Sequence, residues 1–211
     1  ILAIKSGSMK VLGEELSSLK GSARAALIGY LPQFHQTVFP FTVEDVVLTG
    51  RAAYVLCTPS ASDRAKSLAA IRTIGIEHLR TRPYTELSGG ERQLVMIARV
   101  LAQNPKVILL DEPVSHLDLA NQQRLLGLLK KITAAGVTGV AVLHDPNSAF
   151  LYGDKIVFIK EGRVVTPPVD GNPWDPAFIE DIYGVTTAVL PFRGKALVVP
   201  VFDNTGGSYE S

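Results

Sequence analysis

Val107-Ile108-Leu109-Leu110-Asp111-Glu112-Pro113 is an unbroken apolar run that ends in two carboxylates and a proline. Four apolar residues with a proline stop read as a buried strand, because proline cannot donate to a sheet ladder. A helical pattern follows over 119–135, with Leu125, Leu126, Leu128, Leu129 and Ile132 as its apolar face and Gly136 to close it. The stretch Val137 to Leu143 then completes a β-α-β unit, which predicts parallel neighbouring strands and a right-handed crossover. Both apolar stretches have the length of buried strands. In an open parallel sheet, ligands bind beyond the carboxyl ends of the strands, so Asp111 and His144, each just past an apolar run, are expected on one edge. Asp111 and Glu112 suit a hard cation and a polarised water. Taken alone, the pair fits an ordinary strand-end turn as well.

Working outward, a helix is expected over 89–103, burying Leu94, Val95, Ile97, Ala98 and Leu101. It opens with Ser88-Gly89-Gly90-Glu91, the spacing of a capping box. The two glycines exceed what a cap requires, and would let a phosphate approach backbone N–H groups at the positive end of a helix. A plain helix start is the bland alternative. Further upstream, Thr42 can cap a helix carrying Val43, Val46 and Val47, and Ser62 or Asp63 a second one that ends at Gly75. Ile28 to Leu31 reads as a strand stopped by Pro32 and followed by Gln33, and residues 9–16 as a short strand turning at Gly13. Downstream, Ile156–Ile159 and Arg163–Val165 flank Glu161-Gly162 as a hairpin. A helix is expected at 175–183, a last strand at 196–202, and a frayed tail from Asn204.

The chain has 211 residues, 46% of them apolar, and 21 basic residues against 20 acidic ones. That is enough to bury a real core, with no basic field for nucleic acid and no polybasic membrane anchor. A single cysteine, Cys57, excludes an intrachain disulfide and fits a reducing, cytoplasmic compartment. No apolar run approaches the about 18 residues that cross a bilayer, so a membrane role must come through a partner. The histidines His35, His78 and His116 show no ligand spacing; Arg92 and Lys130-Lys131 read as solvated helix faces, and Trp174 as part of a packed loop.

Read together, these pieces resemble the ATP-binding subunit of an ABC transporter. Leu87-Ser88-Gly89-Gly90-Glu91-Arg92-Gln93 looks like the ABC signature motif, and Val107 to Pro113 like the Walker B motif with its adjoining glutamate. Ser115-His116-Leu117-Asp118 resembles the D-loop, His144 the switch histidine, and Leu31-Pro32-Gln33 the Q-loop. The resemblance implies that Asp111 binds Mg²⁺ through its water shell and that Glu112 orients or deprotonates the attacking water. It implies that Gln33 touches the metal or that water, and that His144 contacts the γ-phosphate. Ser88, Gly89, Gly90 and Gln93 would meet ATP held by a second copy of the chain in a head-to-tail dimer, with Asp118 linking the two sites.

No Gly-x-x-x-x-Gly-Lys-Ser/Thr occurs in these residues. Ser6-Gly7-Ser8-Met9 matches a point beyond the P-loop in relatives, so the chain is expected to begin downstream of that loop and, alone, to lack activity. The expected fold class is α/β: an incomplete P-loop NTPase core of ABC type with a mixed, mostly parallel sheet plus a helical subdomain. Its expected parts are a core remnant at 1–33, the helical subdomain at 34–96, the core again at 97–165 and a C-terminal extension at 166–211. Phe39 to Arg51, Ser115 to Gln122, His144 to Asn147 and Asp181 to Val185 resemble the metal-chelate importers, which carry iron–siderophore, haem or cobalamin. That group implies transmembrane permease subunits, a substrate-binding protein acting indirectly, and a place on the cytoplasmic face of the membrane. Phe34, Val38 and Phe39 are the candidates for permease contact. The alternatives are a non-catalytic binding fragment or the ATPase subunit of another import class; the short 34–87 stretch leaves no room for the coiled coils of a DNA-repair ATPase.

Overall fold

The strand at Val107–Asp111 (β4) is the middle of a three-stranded parallel sheet in the computed structural model, between Ile28–Leu31 (β3) and Thr138–Val142 (β5). The structure describes residues 6–32, 41–115, 117–168 and 172–201. The chain divides into two units, 1–142 and 143–211. The fold is α/β, a parallel sheet with packed helices.

In the first unit, β3 pairs with β4 so that Leu31 sits opposite Leu110, and β4 pairs with β5 so that Asp111 sits opposite Val142. The carboxyl ends of β4 and β5 are therefore level. The helix between them, Leu119–Ala134 (α5), makes the expected crossover, and Gly136 leaves it at a φ of 98° that only glycine adopts easily. One expectation fails. Of the 137–143 stretch, expected to be buried, Thr138–Val142 forms a strand exposed at every residue, with Val140 at 53%. Apolar sequence gives a strand the capacity for burial, but burial needs a covering layer and a further strand, and among the described residues none pairs beyond β5.

The first unit's core lies among its helices. Val43–Leu48 (α2), Ala61–Ile74 (α3) and Gly89–Ala102 (α4) bury Val43, Val47, Ile71, Val95 and Ile97 in a cluster that also takes Leu31 and Leu110 from the sheet. All three helices start with reciprocal capping boxes, Thr42 with Asp45, Ser60 with Asp63 and Ser88 with Glu91. The second cap corrects the expected one at Ser62 or Asp63. Ser60 begins the helix, and the Asp63 carboxylate reaches back to accept from its N–H at 3.0 Å and its hydroxyl at 2.6 Å. Position 63 has a further partner, since Arg51 Nε lies 3.0 Å from Asp63 Oδ1 with both side chains buried. Arg51 also donates to Ala102 O at 3.0 Å and lies 3.8 Å over the ring of Tyr54. Gln103 then ties the end of α4 to the sheet, its amide donating to the backbone oxygens of Ala25 and Ile28. Arg92, expected on a solvated face, donates to Thr85 O at 2.7 Å and lies over the Tyr84 ring.

Three further elements of this unit stand near its start. Lys10–Val11 (β1) and Glu14–Glu15 (β2) form an antiparallel hairpin around the Gly13 turn. Gly21–Leu27 (α1) is a helix with no side-chain cap and no acidic first turn, so no start signal marked it in the sequence.

The second unit contains Pro146–Tyr152 (α6), the hairpin Phe158–Lys160 (β6) and Arg163–Val165 (β7), Pro176–Tyr183 (α7), and a second hairpin, Thr187–Phe192 (β8) with Lys195–Pro200 (β9). Glu161 and Gly162 turn the first hairpin with φ of 51° and 75°, as their pairing of an acid with glycine predicts. Arg193 and Gly194 turn the second in the same way. Sequence reading missed β8 and α6, although Asp145 before Pro146 is a helix-start signal. Phe150, Phe158, Phe178, Ile179 and Val198 form this unit's core, and Trp174 packs edge-on against Phe150 at 5.7 Å. Asn147 binds β9 with both ends of its amide, accepting from Val198 N at 2.7 Å and donating to Val198 O at 3.0 Å.

Candidate functional site

Asp111 ends β4, and the chain then turns away from the sheet. Glu112 takes a φ of 46°, unusual for a residue with a side chain, so the turn must be held by its surroundings. Several bonds hold it. Ser115 donates to Glu112 O from its hydroxyl at 2.8 Å and from its N–H at 3.2 Å. Gln93, one turn into α4, donates its side-chain amide to Pro113 O at 2.9 Å, and Pro113 is fully buried. Gln122 of α5 donates to Leu117 O at 2.9 Å.

The segment ends at Asp118, which caps α5 by accepting from Asn121 N at 2.8 Å and from Asn121 Nδ2 at 2.9 Å. That asparagine amide faces the signature-like start of α4: a Cβ placed on Gly90 would meet Asn121 Nδ2 at 3.1 Å. At Gly89 a Cβ would meet nothing within 4 Å. The first turn of α4 uses Ser88 twice, since its hydroxyl accepts from Glu91 N at 3.3 Å and donates to Glu91 Oε2 at 2.8 Å. The backbone N–H and then the hydroxyl of Ser88 hold the Glu91 carboxyl below the usual carboxylate range.

The structure thus brings together Glu112, the loop to Asp118 and the start of α4 in one hydrogen-bonded cluster, with Asp111 next to it at the end of β4. His144 belongs to the second unit, two residues past β5. Gln33, His116 and the candidate contact residues Phe34, Val38 and Phe39 lie outside the described residues. Ser115, Asn121 and Gln122 take part in the cluster, and sequence reasoning assigned none of them an individual part. Only the capping spacing from Asp118 to Asn121 could have flagged one.

The donor set fits a hard cation and a phosphate chain. Asp111 and Glu112 supply carboxylate oxygens at a sheet edge, and among the described residues no cluster of three His, Cys, Asp or Glu forms a closed metal cage. Mg²⁺ bound mainly through water and phosphate oxygens needs no more than one or two carboxylates. Ser88 takes the Glu91 N–H with its hydroxyl and the Arg92 N–H with its carbonyl, which leaves Gly89 and Gly90 as the donors at the open end of α4. No helix among the described residues is long and apolar enough to cross a membrane.

A family model described as ABC transporter matches residues 2–115. The chain is 36% identical over 204 residues to the hemin import ATP-binding protein HmuV of Gloeobacter violaceus, covering 92% of this chain and 74% of that protein. It is 39% identical over 203 residues to the HmuV of Rhizobium etli, covering 92% and 76%. Among solved structures, a metal-chelate type ABC transporter in an inward-facing conformation superposes with a TM-score of 0.75 at 30% identity, over 83% of this chain and 73% of that one. A dimeric ATP-binding cassette bound to ADP and Pi superposes at 0.63 and 30% identity, over 76% and 72%.

Proposed function

This chain belongs to the ABC transporter family as an ATP-binding subunit, and from that membership we propose that it hydrolyses ATP to drive import of a metal chelate. The observation that carries the ATPase reading is the carboxylate pair at the end of β4, tied by Gln93 to a glycine-flanked helix start. Asp111, with Gln33, would hold Mg²⁺, which supplies charge neutralisation for the phosphates. Glu112 accepts a proton from water as the water oxygen bonds to the γ-phosphorus and the bond to the ADP oxygen breaks. His144 stabilises the γ-phosphate oxygens. Ser88, Gly89 and Gly90 present a hydroxyl and two N–H groups to ATP carried by a second copy of the chain, arranged head to tail, and Asp118 lies between the two sites. Binding and orientation do most of the work in such phosphoryl transfer.

The metal-chelate reading is supported by the hemin importers and the metal-chelate type transporter among the relatives. It carries with it permease subunits, a substrate-binding protein acting through them, and a position on the cytoplasmic face of the membrane. No phosphate-cradling Gly-x-x-x-x-Gly-Lys-Ser/Thr lies within these 211 residues, so the chain by itself binds MgATP weakly and does not turn it over.

Vesicles holding the full gene product with its permease test the reading. ATP-dependent uptake of haem, an iron–siderophore or cobalamin is expected. Uptake of sugars or amino acids alone would overturn the chelate class and leave the ATPase standing. Turnover by the purified 211-residue chain, abolished by Glu112→Gln, would overturn its inactivity.

A further inference from the structure

In the head-to-tail dimer proposed above, the signature-like start of α4 would serve the partner's nucleotide and Glu112 its own. A single helix joins the two. Gln93 lies one turn in from Gly90 and donates to Pro113 O at 2.9 Å, next to the residue proposed as base. The backbone at Glu112 is held at a φ of 46°, which an L-residue does not keep unaided. Ser115 and Gln93 both restrain that turn. Ser115 bonds the carbonyl of Glu112 within the loop, and Gln93 bonds the next carbonyl from outside it. Gly90 packs on Asn121, whose amide is bound to Asp118, so the far end of the loop is also referred to α4. Any shift of the α4 start is passed to both ends of the 112–118 loop.

We infer that Gln93 is a positioning residue, which makes the placement of Glu112 in one site depend on ATP seated against the same chain's α4 in the other. Its amide acts within its own chain, on Pro113 O, in place of the contact with the partner's ATP that the family resemblance implied for it. The device rests on the reading of Glu112 as the base. It makes the two sites of a dimer interdependent without a contact between their nucleotides, because each chain contributes its helix start to one site and its base to the other.

Gln93→Met keeps the length and helix preference of the side chain and removes the donor. It should be compared with wild type in the full gene product by steady-state hydrolysis, and in a Glu112→Gln background by ATP-dependent dimerisation. The expected result is a kcat lower by about tenfold to a hundredfold, the cost of misplacing a reacting group. KM for ATP should stay within about threefold, as for a residue outside the binding contacts. The Hill coefficient for ATP should fall towards unity, and dimerisation should be unchanged. A raised KM at constant kcat would overturn the inference in favour of a nucleotide contact. Loss of dimerisation and of the thermal midpoint together with kcat would overturn it in favour of a purely structural bond. Unchanged kcat and Hill coefficient would overturn it outright, as would a wild-type Hill coefficient of unity. Wild-type turnover no higher than that of Glu112→Gln would instead remove the base assignment, and the inference with it.

Discussion

Arg51 Nε and Asp63 Oδ1 lie 3.0 Å apart beneath the surface, joining the turn after α2 to the first turn of α3. The Asp63 carboxylate is held primarily by the Ser60 hydroxyl and then by Arg51, which lowers its pKa from 3.8 to about 2. Arg51 Nη1 donates to Ala102 O at the end of α4, so the ion pair and this bond tie three helices together.

The lowered Asp63 pKa gives a pH dependence with a definite sign. A carboxyl whose folded value lies below its unfolded one adds stability above the unfolded value, and that stability is lost as pH falls through the folded value. The difference in urea midpoint between wild type and Asp63→Asn should be constant above about pH 5 and shrink between about pH 4 and pH 2. Arg51→Ala should lower the thermal midpoint more than Arg72→Ala, because the pair of Arg72 with Glu77 is exposed. A difference that does not change on acidification would exclude the assignment.

Gly50 permits close packing. A Cβ there would collide with the backbone oxygen of Arg99, which cannot move without bending α4. Gly50→Ala should cost about 1–3 kcal/mol as an overpacking change, read from urea unfolding. Gly89→Ala, with open space around it, should cost less, and equal losses would contradict the packing argument.

Tyr84 is buried, and among the described residues its hydroxyl has no hydrogen-bond partner. Burial raises its pKa. A buried hydroxyl without a partner opposes folding, so Tyr84→Phe should be neutral or stabilise by up to about 1 kcal/mol. Chemical denaturation decides this, and a clear loss of stability would mean that the hydroxyl is satisfied in solution.

In the full gene product, Glu112→Gln should abolish hydrolysis and leave ATP binding intact, because the amide keeps the shape but cannot accept the proton of water. An ATP-bound dimer should accumulate in size-exclusion chromatography with MgATP. Turnover near the wild-type rate would remove Glu112 from its proposed part.

What the sequence determined by itself is the set of features that depend on neighbours a few residues apart. The helix start at Ser88, the left-handed stops at Gly75 and Gly136, the Glu161-Gly162 turn and the crossover from β4 to β5 all follow from local bonding and steric rules. The signature-like and carboxylate motifs were legible for the same reason, since each is a contiguous run. Tertiary structure alone decided which of these meet. The amide of Gln93 reaches Pro113 twenty positions away, Arg51 bridges to Ala102, and Gly50 rests on Arg99. The exposure of β5 belongs to the same class, because an apolar run can be buried only where other parts of the chain cover it. Long-range contacts depend on how whole elements pack, which no local spacing encodes.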